Sequence, residues 1–480
     1  MSSAPAAGTA PFALSVLDNA HTAVGQDITE AFEGVIDLAR RSERRGYRRF
    51  WMSEHHAMPG AATSSPQLML ARLIAETSSI RLGAGGIMLP NHAPLIIAEQ
   101  FGMLEALAPG RIDLGLGRAP GTDTSTAAAL RRGHDANDHF PAQVDELLRF
   151  LADEFPEGHP YRNVHAVPGP WQNQENRVPG ITTGPDTWIL GSSPYSAQLA
   201  AQLGRPYAFA LQFGDADVET AFRIYRNNFQ PSDVLDEPYT LVSLGVVAHD
   251  DAEEAHRQAR TAAMAMLRML KRQSYSLLPP DEVASYAGTL QEEQILDLYT
   301  RRFANGTGPQ VAASLENLHE RTAADEIMLV TMGASRAVHA RTVELIAELP
   351  RSLFGRASPD SSAAIQSVVM APAAKFELST VISVECTATR MMAKRFDGSV
   401  HPTCASPAWI CRTPDSSLHL RPLRLAGSAS VRISGARLGR PQISPHLLIG
   451  RRRAEAADHR HRSWILWQGP TTRRAFASTV

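Results

Sequence analysis

Cysteine is nearly absent from this chain of 480 residues: there are only Cys386, Cys404 and Cys411. The first 350 residues therefore offer neither a disulfide framework nor a cysteine-ligated metal site. No run of about 18 apolar residues occurs, which excludes a membrane-spanning helix. The opening MSSAPAAGTA has no basic segment followed by an apolar core, so no secretory signal is read and a cytoplasmic location is expected. Lysine is scarce as well, 3 residues against 44 arginines, as a GC-rich coding sequence would give. The apolar fraction, 44%, is ordinary for a globular protein, and the length suits two or three domains or one barrel with an appendage.

A net charge of −2 conceals a split. From Arg351 onward there are 19 basic and 7 acidic residues, +12, which leaves 28 basic and 42 acidic before it, −14. A basic tail can mark nucleic-acid binding, but this one lacks interleaved aromatics and any recognisable binding fold, so nucleic acid is not the expected partner.

Up to about residue 350, strand and helix patterns alternate. Buried strands are expected over residues 12–17, 49–52, 80–87, 112–116, 187–190, 207–210, 241–248 and 326–331. Amphipathic helices are expected over 28–46, 66–76, 95–107, 141–154, 195–203, 252–270 and 338–349. Eight strands alternating with helices predict an α/β fold, a (β/α)8 TIM-like barrel with insertions. Residues 155–186 and 273–300 exceed ordinary loop length and read as insertions, the first with a hairpin around 167–171. On the C-terminal face of a barrel such an insertion is a natural lid. From 351 to 480 the alternation stops in favour of Ser, Arg, Ala and Pro. That text fits a disordered extension, a small unassigned domain, or a wrong reading frame.

Four segments carry chemistry. Trp51-Met-Ser-Glu54-His55-His56 ends a strand with a carboxylate and two imidazoles, where catalytic barrel loops begin; the bland alternative is bonding within the loop. Leu82-Gly-Ala-Gly85-Gly86-Ile-Met-Leu-Pro90 ends a strand with adjacent glycines, which admit a flat ligand against the backbone or form a bulge at the rim. Gly110-Arg-Ile-Asp-Leu-Gly115-Leu-Gly117-Arg118-Ala-Pro-Gly121 has the wrong spacing for a dinucleotide fingerprint. It reads instead as a turn aiming Arg118 at the barrel mouth, toward an anion or toward Asp123. Leu190-Gly191-Ser192-Ser193-Pro194-Tyr-Ser196 places serines before a helix that starts with proline, an anion site or a simple cap. No His-x-His ends the first strand, and adjacent His55 and His56 are poorly placed to chelate one ion, so a metal site is not expected.

Together and in this order, these segments resemble the bacterial luciferase-like, flavin-dependent monooxygenase family, over about residues 11–349. The resemblance implies a TIM-like barrel, usually dimeric, that uses reduced FMN from a separate flavin reductase and molecular oxygen as co-substrate. By motif it makes His55 the catalytic histidine, with Glu54 and His56 its neighbours. It makes Gly85-Gly86 the non-proline cis peptide beneath the isoalloxazine and Arg118 the arginine at the flavin phosphate. Gly191, Ser192, Ser193 and Ser196 fall in the phosphate-binding turn. Luciferase proper has a cysteine where this chain has Gly117, so the closer resemblance is to the family's non-luminescent oxidoreductases. The expected function is an FMN-dependent monooxygenase acting on a small organic substrate. Alternatives are a deazaflavin-dependent dehydrogenase of the same superfamily and a flavin-binding protein without catalysis.

Overall fold

Parallel strands buried on both faces need apolar runs and helices to cover them, and the chain alternates the two through eight strands. The computed structural model describes residues 12–349, except 134, 178–183 and 214–216. Nine strands are present among them: β1 (Ala13–Asp18), β2 (Arg49–Met52), β3 (Arg81–Met88), β4 (Ile112–Gly117), β5 (Asp186–Gly191), β6 (Tyr207–Ala210), β7 (Thr240–Ala248), β8 (Ala304–Gly306) and β9 (Glu326–Thr331). All pairings are parallel. They run from β1 through β7 in sequence order, then to β9 and back to β1, closing a ring of eight. The fold is the expected TIM-like barrel. Each expected strand ends within one residue of a ring strand.

The ninth strand, β8, pairs only with Val246–Ala248 of β7 and was not expected, because three residues ending in glycine carry no period. A second difference lies at residues 167–171. No hairpin forms there; extended Gly169 leads into the short helix Pro170–Glu175, since a proline at the first turn favours a helix start. The expected long loop at 273–300 contains the helices Pro280–Ala284 and Leu290–Arg302. The second is fixed by a Thr289/Glu292 capping box but buries only Leu296 and Thr300, too narrow a stripe to show as a period. The expectation for 351–480, and with it a domain boundary at 350, lies outside the described residues.

Alternation along the strands builds two cores. Leu14, Val16, Phe50, Met52 and Ile189 point outward and pack against the helices. Leu17, Trp51, Trp188, Leu241 and Met328 point into the barrel. Its N-terminal end is filled by charge: Arg49 sits 2.7 Å from Glu326 and 2.8 Å from Asp113, all buried. Arg81 also pairs with Asp113 and with Asp186, at 2.6 Å each. Trp51 donates its indole N–H to Asp113 at 2.9 Å. A plug of paired charge at one end leaves the C-terminal end for the site. Among the described residues, no helix is long and apolar enough to cross a membrane.

Candidate functional site

At the C-terminal end of the barrel lies a cavity of ≈ 410 Å³, within the range of small-molecule sites. Its walls include Leu17, Trp51, Leu190, Leu241 and Met328 from the inner core, so they are largely apolar. Gly85, Gly86, Arg118, Gly191, Ser192, Ser193 and Ser196 all line it. Three chain segments separated in sequence, at the ends of β3, β4 and β5, thus deliver every expected cofactor position to one space.

Each glycine has a local reason. The Gly85-Gly86 peptide is cis, and the β3–β4 register shifts between Gly85 and Ile87. A Cβ on Gly85 would lie 2.5 Å from Trp51, and one on Gly86 would lie 2.7 Å from the Gly115 carbonyl. The bulge that the sequence allowed is present, and the close approaches seen are to Trp51 and Gly115 of the protein itself.

Arg118 has no carboxylate partner among the described residues. Its guanidinium instead lies 4.2 Å from the centre of the Tyr195 ring, a cation–π stack. Asp123, its alternative partner, is occupied in capping the helix Thr124–Ala129 through the Ser125 and Thr126 N–H groups. Tyr195 belongs to the helix Pro194–Gln202, whose N-cap is Ser193. The hydroxyls of Ser192 and Ser193 make no hydrogen bond among the described residues, whereas Ser196 is bound to the Ser193 carbonyl at 2.9 Å and to the Tyr207 hydroxyl at 3.0 Å. An uncompensated guanidinium, two free hydroxyls and a helix N-terminus at one edge of the cavity fit a phosphate. The apolar remainder fits a flat ring system.

Glu54, His55 and His56 lie outside the cavity wall. Glu54 is fully buried and joins loops: it accepts from the Met88 N–H at 2.9 Å and the Asn91 amide at 3.3 Å, and stands 2.9 Å from both His56 and His92. Burial pushes Glu54 up, but these partners outweigh it and hold the carboxyl at about 2. The network continues to the cavity. Asn91 donates to the Pro120 carbonyl at 3.0 Å, and Arg132 donates to Asn91 at 2.8 Å and to the Arg118 carbonyl at 2.7 Å. His92 and Asn91 were not legible as site residues, because their partner is on another strand's loop.

His55 fixes its backbone N–H on the Thr63 carbonyl at 2.9 Å, while its Nδ1 is buried with no partner. Burial pushes its pKa below the ordinary imidazole range, and the Gly121 carbonyl and Glu54 reverse this only in part. A second histidine with a buried, unpartnered Nδ1 is near: His21, after β1. Burial and His339 hold His21 at about 3. His339 lies 5.6 Å from His21 ring to ring, between Arg336 at 3.1 Å and the Gly333 carbonyl at 3.0 Å, and Arg336 pairs with buried Asp18 at 3.0 Å. Since arginine can only donate, His339 accepts at Nδ1 and donates from Nε2. These imidazoles are neutral at pH 7.

Known proteins resemble the chain in sequence and in shape. The model of a family described as luciferase-like monooxygenase matches residues 11–326. A protein of Escherichia coli (strain K12) named luciferase-like monooxygenase is 38% identical over 344 residues, 72% of this chain and 98% of that one. The crystal structure of apo-MsnO8 is 33% identical, covers 70% of this chain and 97% of its own, and superposes with a TM-score of 0.62. The FMN-bound oxygenating constituent of a 3,6-diketocamphane monooxygenase from Pseudomonas putida is similar in fold alone: TM-score 0.52, 17% identity, covering 70% of this chain and 97% of its own.

Proposed function

The chain belongs to the luciferase-like monooxygenase family, flavin-dependent oxidoreductases, and on that premise we propose that it is an FMN-dependent monooxygenase. The observation that carries the cofactor is Arg118, unpaired, stacked on Tyr195 and beside the free Ser192 and Ser193 hydroxyls. Bound reduced flavin supplies the electrons with which molecular oxygen is activated for insertion into an organic substrate. Arg118, Ser192 and Ser193 hold the phosphate. Gly85 and Gly86 present bare backbone to the ring, and Leu17, Trp51, Leu190 and Leu241 keep water from it. His55, neutral and with a free nitrogen, is the proton acceptor beside the site, and Glu54 with His56 fixes the loop that carries it. A separate flavin reductase delivers the reduced cofactor, and the cytoplasm is the place of action.

Replacing Arg118 with Ala is expected to weaken FMN binding by about 1.5–3 kcal/mol, the range of charge-assisted hydrogen bonds, and to leave riboflavin binding unchanged. Fluorescence titration of both flavins measures this. Unchanged FMN affinity in the folded variant would remove the phosphate from this edge. Titration with the deazaflavin in parallel separates monooxygenase from dehydrogenase use.

The same reading makes the protein a homodimer. Leu68 on helix Pro66–Glu76 and Ile96, Met103 and Leu107 on the adjoining helix Pro94–Leu107 are exposed apolar side chains that a dimer interface would cover. Light scattering giving a monomer mass at micromolar concentration would refute this.

A further inference from the structure

Arg118 and the serines follow β4 and β5. Further round the ring, the cavity has a second polar feature. Gln212, after β6, and Ser243, on β7, both line the wall, amid Ala208, Ala210, Leu241 and Met328. We infer that Gln212, oriented by Ser243, is a cofactor-binding residue that donates a hydrogen bond to a ring carbonyl of the flavin. This rests on the flavin reading above.

Ser243 is 6% exposed, and its hydroxyl has one proton to give. Two acceptors are in reach, the Gln212 Oε1 at 2.9 Å and the Phe209 carbonyl at 3.3 Å. The shorter contact takes the proton, so the amide oxygen is committed to Ser243 and the amide nitrogen is turned away from it. That nitrogen has no acceptor among the described residues. A donor without a protein acceptor, fixed in direction by a buried hydroxyl and standing in a cavity wall, is equipped to bind an acceptor of a ligand.

The chemistry of the wall selects which acceptor. The Trp51 indole N–H is spent on Asp113, Ser196 on Ser193 and Tyr207, and Asn137 lies with Arg132 on the Arg118 side. Among the described residues, no carboxylate, lysine or histidine lines the cavity. The β6–β7 side therefore offers a neutral amide donor, suited to a neutral carbonyl and not to a phosphate. The pyrimidine edge of a flavin has two such carbonyls, and burying one against an apolar wall without a donor is costly. Gln212 relieves that cost. Arg118 reads the phosphate and Gln212 the ring, so their effects divide between FMN and riboflavin, which share the ring and differ in the phosphate.

The experiment titrates FMN and riboflavin, without substrate, into the full-length protein and into Gln212→Leu, Gln212→Glu, Ser243→Ala and Arg118→Ala, with thermal unfolding of each. Gln212→Leu is expected to weaken both flavins equally, about 3- to 10-fold, as the loss of one neutral hydrogen bond does. Gln212→Glu keeps the size and the Ser243 bond but has no donor, so it gives a loss of at least that size. Ser243→Ala gives a smaller loss, again for both flavins. Arg118→Ala weakens FMN alone. If Gln212→Leu and Gln212→Glu bind both flavins like the parent, the inference is overturned while an Arg118 effect on FMN keeps the flavin reading. A Gln212→Leu variant that raises only the KM for the organic substrate also overturns it, because the amide then faces substrate. Unchanged FMN binding in Arg118→Ala with a loss in Gln212→Leu supports the ring contact and removes the phosphate assignment.

Discussion

Arg118 and His55 are both basic side chains in loops at the C-terminal end of the barrel, but their surroundings give them opposite tasks. Arg118 lies on an aromatic face and meets no carboxylate among the described residues, so its guanidinium is available to a ligand. His55 is half-buried, its pKa is lowered by desolvation, and its Nδ1 is buried with no partner among the described residues, so it can take a proton but cannot balance a phosphate. His55→Ala is accordingly expected to keep FMN affinity and to lose roughly 100- to 10,000-fold in turnover, the span of positioned acid–base groups. Turnover at the parent rate would make the residue structural. The residue types were legible from the sequence, since imidazoles and a guanidinium just beyond strand ends stand out. Their partners were not: Tyr195 is 77 positions from Arg118, and His21 is on another loop.

Glu54 shows what a single side chain does for whole elements. It ties the loop after β2 to the end of β3 through Met88 and, through Asn91, to the Pro120 carbonyl in the loop after β4. Its carboxyl is held at about 2, against 4.5 for an ordinary glutamate. A group depressed in the folded state stabilises the protein above its unfolded pKa, and that stability is lost as pH falls from about 4.5 toward 2. The shift corresponds to about 3 kcal/mol. Glu54→Gln is expected to destabilise the protein near pH 7 by an amount of this order, and the gap to the parent should shrink as pH falls below 4.5. Urea unfolding at pH 7 and pH 3 measures it; an equal gap at both would show that Glu54 is not the coupled group. The ring strands were readable because their apolar runs end at glycine, proline or polar residues. Helix Leu290–Arg302 was not, because its capping box is a local signal while its buried stripe is two residues wide.

At the scale of the molecule, the ring of eight closes through the β7–β9 and β9–β1 ladders, and helix Arg336–Ala347 and buried Leu349 complete its packing. All eight ring strands lie within residues 13–331. A chain ending at Arg351 is therefore expected to unfold at the parent temperature and to bind FMN with parent affinity. Thermal unfolding and flavin titration of the two chains side by side test this, and aggregation of the shorter one would place the boundary elsewhere. The sequence alone determined the barrel, its strand ends and the glycine, proline and serine positions that line the cavity. Those follow from local causes: burial on both strand faces, glycine where no Cβ fits, proline and serine at a helix start. Tertiary structure alone decided that Glu54 binds His92, that Arg118 stacks on Tyr195, that Ser243 bonds the Gln212 amide oxygen, and that His55 is not part of the cavity wall. Each of those depends on loops from different strands meeting over the closed barrel, and barrel closure brings together side chains that no sequence period connects.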